Sequence, residues 1–437
     1  MRYLLLLLAL VPAAAFAQAP PAAPVTLDEA IAQGLANSQR LAELAARGEA
    51  ADFAVTGRRA MDLPAVSLQG GYTRTNHVDE FGILLPGPAV QVVYPDVPDN
   101  YYARLDLQWP IYTGGRADAL ERAARAERSA IGKDVEAARA DLRLEITRAY
   151  WAAVTAGETE TVVRRSLEAV EGHVNDARAR LAQGLVPPND VASAEAQASH
   201  QRLLALEAAN QRGIAEADLA RLTGRDSVSV STFVPAADAS DPPAATPVAV
   251  LIAQALKGRS ERQALEERAA SAEARAAAVT AGGRPQVGIG GGYDYARPNP
   301  RIFPRIADWR RSWDASVNVS WTLWDGGRRA AEHGEAAANA AALRTRVVDF
   351  DRQVTFEVRA RSLELQSSRE SVRAAADGIR AATEAERVVN ERYRAGVVTS
   401  TEVLDALVAR LQAELDRSRA VAAVRLAEAR LERAVGR

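Results

Sequence analysis

Residues 108–116 read QWPIYTGGR, and residues 320–328 read SWTLWDGGR. Both are Trp-x-x-aromatic-x-Gly-Gly-Arg, and the two tryptophans stand 212 residues apart (321 − 109). The frame holds downstream. RLAQGLVPPNDV (180–191) aligns with RYRAGVVTSTEV (392–403), placing Gly184 on Gly396 and Asp190 on Glu402. Upstream the spacing is 221: IAQGL (31–35) on IAQAL (252–256), Pro64 on Pro285, and GGY at 70–72 on GGY at 291–293. The nine residues of difference (221 − 212) lie within 73–108 of the first half. A constant frame with one insertion is a tandem duplication running through nearly the whole chain.

Each half has the same order. An Ala-rich amphipathic helix is expected over about 27–60 and 248–281, ended by Pro64 and Pro285. A β-hairpin follows, over about 64–112 and 285–324. In WDASVNVSWTLW (313–324), Ala315, Val317, Val319, Trp321 and Leu323 share one face, and Asp314, Ser316, Asn318, Ser320 and Thr322 the other. Beyond Gly114-Gly115 and Gly326-Gly327, residues 116–182 and 328–394 contain no proline. A helix over such a stretch is roughly 100 Å long. Its apolar positions fit both a seven-residue and an eleven-residue repeat, and periodicity leaves that choice open. Gly184 and Gly396 break these helices. Helices resume at about 189–222 and 400–434, with Asn189 and Thr399 or Ser400 as candidate caps.

The N-terminus, MRYLLLLLALVPAAAFA, is one Arg, an apolar run and small residues, a secretory signal expected to end at Ala17. The mature chain, 18–437, then reads as one domain. Repeat one covers about 25–223, a Pro/Ser/Asp-rich equatorial linker about 224–246, and repeat two about 247–437. Cysteine is absent, which excludes thiolate metal sites and an acylated N-terminal Cys. The formal net charge of −2 argues against nucleic acid as a partner. Apart from the signal, no stretch reaches the ~18–20 apolar residues of a membrane helix. The four histidines share no metal-ligand spacing, and no phosphate loop or nucleophilic triad is present. Neither a cofactor nor an enzymatic activity is expected.

Two hairpins with one apolar and one polar face pose a physical problem. Lipid cannot satisfy the amides of an open sheet edge, so a membrane wall must close. Four strands are too few for a barrel; three chains supply twelve. The charged long helices belong in water, and below an outer membrane that space is the periplasm. Trp109 and Trp321 then sit where aromatic girdles meet lipid headgroups. Gly114-Gly115 and Gly326-Gly327 permit the change from strand to helix.

These features together resemble the TolC family of outer-membrane efflux channels over essentially all of 25–437. They are the signal, the duplicated halves, Pro64 and Pro285, the two GGR motifs and the Tyr-x-x-Gly turn at 393–404. The resemblance implies a mainly α fold with β. That fold is a trimeric, twelve-stranded transmembrane β-barrel, continued by a periplasmic α-helical barrel. It also implies a homotrimer in outer-membrane lipid, docked on a periplasmic adaptor held by an inner-membrane pump or secretion transporter. The function implied is an exit duct for efflux or type I secretion. By position, Glu402 and Asp405 match the acidic constriction of the family's tip, and Asp190 and Tyr393 match a hydrogen-bonded pair closing it. Val398 stands where some members have a latching Arg. The alternative is a structural periplasmic coiled-coil or adaptor protein without its own pore.

Overall fold

A computed structural model describes residues 24–84, 86–87, 90–230 and 246–437. The signal segment 1–17 and most of the linker lie outside the described residues. Repeat one contains α1 (Leu27–Asn37), α2 (Gln39–Arg59), β1 (Ala65–Arg74), β2 (Phe81–Leu84), β3 (Val90–Tyr94), β4 (Asp99–Tyr112), α3 (Arg116–Ala182) and α4 (Pro188–Thr223). Repeat two contains α5 (Val248–Gly258), α6 (Ser260–Ala281), β5 (Gln286–Arg297), β6 (Arg310–Ser320), α7 (Arg328–Arg394) and α8 (Ser400–Val435). The described residues fall into two compact units. One comprises residues up to Ser38, Ala140–Pro247 and Ala360–Arg433; the other Gln39–Arg139, Val248–Arg359 and Ala434–Arg437.

The second unit holds the main sheet. Its antiparallel order is β1-β4-β5-β6, so the two hairpins join through β4 and β5. β1 and β6 are its edges. Pro110 lies within the central strand β4, where it removes a ladder donor, and the β4–β5 register shifts between Pro110 and Tyr112. The nine extra residues of repeat one belong to a connection that carries its own hairpin, β2–β3. The second hairpin is shorter than the alternation implies. β6 ends at Ser320, so Trp321 lies just past the strand, whereas Trp109 lies inside β4.

The first helix of each half is not continuous, contrary to its amphipathic pattern. Ser38 (φ −70, ψ 114) separates α1 from α2, and Arg259 (φ −67, ψ 115) separates α5 from α6. These residues are equivalent at the 221 spacing. A one-residue extended step leaves the apolar period nearly intact, so periodicity misses it. At Arg259 the step is held from outside the helix. Its guanidinium pairs with Glu357 (2.8 Å) and Glu261 (3.1 Å) and donates to the Ala434 carbonyl (3.2 Å).

α3 and α7 are each 67 residues long and contribute to both units. Their buried positions are mostly Ala and Val, which lets helices approach closely. Along α3, Ala123, Ala130 and Ala137, and again Val163, Val170 and Ala177, recur every seven residues. Within these runs the heptad spacing prevails. In the first unit, Val170, Val174, Ala194, Ala198, Tyr393, Val403, Leu404 and Leu407 form one apolar cluster.

Candidate functional site

The sheet separates two chemistries. Pairing places Val66, Leu68, Leu105, Leu107, Ile289, Val317 and Val319 on one face. This face is uncovered: Leu68 is 75% and Val317 68% exposed. Such a band of aliphatic side chains is unstable against water and stable against lipid. Aromatic rings bound it at both ends. Toward the hairpin loops, Tyr72 packs on Tyr101 (4.9 Å), and Trp309 stacks on Tyr295 (4.9 Å). Toward the helices stand Trp109, Tyr112, Trp321 and Trp324, all exposed. Tyr101 and Trp109 are eight positions apart on β4, ~27 Å along a strand. Tilted as barrel strands are, that length fits an apolar band about 25 Å tall.

The indole Nε1 of Trp109 donates to the Asp62 carbonyl (3.2 Å), and that of Trp321 to the Gly283 carbonyl (3.0 Å). Asp62 and Gly283 are themselves 221 apart, so the duplication repeats the bond. The strand-to-helix turns repeat too. Gly114 and Gly115 have φ of 69 and 86, and Gly326 and Gly327 have 69 and 84, values that cost a Cβ-bearing residue. Thr113 Oγ1 then accepts from Ala117 N (3.3 Å), and Asp325 Oδ2 from Arg329 N (3.3 Å), capping α3 and α7.

The opposite face is polar and ion-paired. Arg104 on β4 binds Asp106 (2.8 Å), Asp294 (2.6 Å) and Asp314 (3.3 Å), which reach it from β4, β5 and β6. A side chain at Gly292 would collide with the guanidinium, so the glycine-rich run of β5 makes its room. The sequence reading missed this cluster. Its signal was present in Arg104 and Asp106 on one strand face and Asp294 and Asp314 at matching positions.

In the other unit, both helix-return turns are built alike. Gly184 (φ 72) and Gly396 (φ 73) end α3 and α7. Leu185 N donates to Arg180 O (2.9 Å) and Gly184 N to Leu181 O (2.9 Å). Val397 N donates to Arg392 O (3.0 Å) and Gly396 N to Tyr393 O (3.0 Å). This pattern satisfies the last carbonyls and requires a left-handed residue. Leu185 and Val397, the residues after the glycines, are exposed.

Three expectations at these turns need correction. α4 starts with Pro187 as cap and Pro188 in its first turn, and Asn189 does not cap it; its amide donates to Asp190 (3.3 Å). Proline supplies the helical φ and has no N–H to satisfy. Ser400 is not a cap either. It is buried inside α8, 2.7 Å from His173 Nε2, while Thr399 precedes the helix and donates from N and Oγ1 to Glu402 (3.2 and 3.3 Å). Asp190 and Tyr393 do not form a hydrogen bond. The Tyr393 ring is buried between Arg180 (4.4 Å) and His173 (5.1 Å), and its hydroxyl has no partner among the described residues. Burial pushes the phenol pKa up and the His173 pKa down. Glu402 and Asp405 are both exposed on the first turns of α8.

Among the described residues, no group of three or more acidic or histidine side chains is placed to hold a metal ion. No helix there is long and apolar enough to cross a membrane.

Comparison with known families matches residues 30–225 and 251–437 to the family described as Outer membrane efflux protein. The CyaE protein of Bordetella pertussis (strain Tohama I) is 27% identical over 401 residues, covering 90% of this chain and 81% of CyaE. Among solved structures, CusC shares the fold with a TM-score of 0.80 at 16% identity, over 94% of this chain and 92% of CusC. The CmeC outer membrane channel of Campylobacter jejuni does so with 0.78 at 16% identity, over 94% of this chain and 85% of CmeC.

Proposed function

The chain belongs to the outer membrane efflux protein family, and from that membership we propose that three copies close one twelve-stranded barrel. An outer-membrane channel is a duct and catalyses no reaction. The observation that carries the trimer is the sheet itself. It has an uncovered apolar face between two aromatic rows, a polar ion-paired face behind it, and two open edges at β1 and β6. Joining β6 of one copy to β1 of the next satisfies those edges and turns the polar face inward. The loops then lie outside the cell, and the long charged helices in the periplasm.

Substrate enters from a periplasmic adaptor served by an inner-membrane pump or secretion transporter. The equivalent turns at Gly184 and Gly396 are the proposed docking points, each offering an exposed aliphatic residue, Leu185 or Val397. Glu402 and Asp405, both exposed, are the proposed acidic constriction; Asp190, Tyr393 and the ring cluster around His173 set the tip's packing. In this reading residues 1–17 are removed on export, and 18–437 form one channel domain.

Detergent-purified protein should sediment as three chains and conduct ions in planar bilayers. A folded, non-conducting monomer with intact β-structure would sink the proposal.

A further inference from the structure

Residues 298–309 connect β5 to β6, and this loop does not stand away from the strands. Asn299 is only 2% exposed. Its amide donates to the Arg310 carbonyl (3.0 Å) and the Ser312 hydroxyl (3.0 Å), and its Oδ1 accepts from Arg301 N (2.9 Å). Ser312 belongs to the polar face, so the turn is anchored on that side. It carries Arg301 over the polar face, where the guanidinium lies 2.7 Å from Asp314 and 3.8 Å from Asp294. These are the carboxylates that hold Arg104. Two further bonds brace the loop. Arg297 donates to the Ala307 carbonyl (2.7 Å), and Arg305 donates to the Tyr94 hydroxyl (2.9 Å) of the β2–β3 hairpin while lying over its ring.

An isolated surface pair adds little to stability. Here one guanidinium is paired by charge, without a hydrogen bond to Asp314 Oδ1, with two carboxylates that also lie against a second guanidinium, and a buried Asn fixes the backbone that delivers it. Charges arranged as a network, with the backbone held independently, define a position better than a single mobile pair does.

We infer that loop 298–309 is a strap across the outer mouth of the channel, and that Arg301, with Arg104, determines which solutes pass there. The inference rests on the reading that the polar face lines the lumen. Two arginines against Asp106, Asp294 and Asp314 leave one formal negative charge per chain at this level. Loss of Arg301 both frees the strap and adds to that negative charge. The mouth becomes wider and prefers cations more strongly.

The chain has no cysteine, so one introduced thiol reports one place. Ser316 lies on the polar face, two residues beyond Asp314 along β6, and Val317 lies on the apolar face. The probe is a neutral, membrane-impermeant polyethylene glycol maleimide added outside to the assembled full-length protein in outer membranes. Ser316→Cys should react and Val317→Cys should not. Adding Arg301→Ala should speed the Ser316→Cys reaction about fivefold, the scale on which a partly screened ion pair biases an equilibrium. Arg301→Lys should stay slow, since it keeps the charge. With Arg301 intact, raising salt from about 0.05 to about 0.5 M should also speed it, because the screening length falls from about 14 Å to about 4 Å and the part-exposed Arg301 pairs weaken.

Equal rates in the three Arg301 backgrounds, with Ser316→Cys reactive and Val317→Cys silent, would overturn the strap and leave the lumen assignment standing. Reaction at Val317→Cys and not at Ser316→Cys would overturn the lumen assignment and the strap with it. Should Arg301→Ala fail to assemble, the salt series decides alone, and a flat series overturns the inference.

Discussion

His173 and Ser400 share a buried contact, 2.7 Å from Nε2 to Oγ, that ties the long helix of the first repeat to the returning helix of the second. The pairing has a consequence for pH. Burial holds the His173 pKa below its ordinary 6.5; nearby Arg180 lowers it further, and Asp176 and Asp190 oppose this. The stabilisation of neutral His173 is complete above about 6.5 and is lost as pH falls toward and through the lowered value. Once exchange is corrected for the intrinsic pH dependence of free amides, protection in residues 170–180 and 393–404 should therefore fall between pH 7 and pH 5. In His173→Gln that pH dependence should vanish. An unchanged profile in the variant would show that another group titrates at the tip.

Tyr393 gives a prediction whose sign is opposite to that of a latch. Its hydroxyl is buried without a hydrogen-bond partner among the described residues, so Tyr393→Phe removes an unsatisfied group and should leave stability unchanged or raise it by up to about 1 kcal/mol. Tyr393→Ala empties the space between Arg180 and His173 and should cost about 3 kcal/mol. Urea unfolding of the detergent-solubilised protein separates the two. A loss of more than about 1 kcal/mol in Tyr393→Phe, the scale of a typical hydrogen bond, would reveal a partner from another chain.

The proposed acidic ring is best probed with isosteres. Glu402 also accepts from Thr399 at the start of α8, so Glu402→Ala would remove a cap as well as a charge and cost about 1 kcal/mol. Glu402→Gln with Asp405→Asn removes charge only. In planar bilayers this double variant should show lower cation preference and weaker block by trivalent cations from the periplasmic side. Undiminished block would put the constriction elsewhere.

Depth in the bilayer should govern substitutions on the sheet. Leu68→Arg or Val317→Arg places a charge on the apolar face, which meets lipid in the proposed barrel, and should cost about 2–4 kcal/mol near the midplane. Ser316→Arg, one residue away on the polar face, should be nearly neutral. Heat-resistant trimer yield in outer membranes measures the difference.

Much of this was legible in the sequence. Repetition showed both 67-residue helices, because proline-free length and flanking glycines are local signals. It also showed the two sheet faces, because Ala315 to Trp321 alternate without interruption. The breaks at Ser38 and Arg259 were not legible, since what holds Arg259 extended is Glu357 and the Ala434 carbonyl, far along the chain. The tip was misread at Ser400 because its tertiary partner His173 overrides a local cap, and at Tyr393 because a bond to Asp190 was carried over by position from the family, while the ring packs instead between Arg180 and His173.

The first strand pair closes at its outer end where Thr75 N meets the Pro98 carbonyl at 2.8 Å, and at its inner end Trp109 is bonded to Asp62. Between those fixed ends the sheet is indifferent to how much chain leaves and returns; nine residues were gained there and the Trp109 bond still has its counterpart at Trp321. The interval from 76 to 97 is thus a natural grafting port. In the proposed orientation, a foreign epitope spliced into it would be displayed to the exterior on a base that the host protein already staples shut.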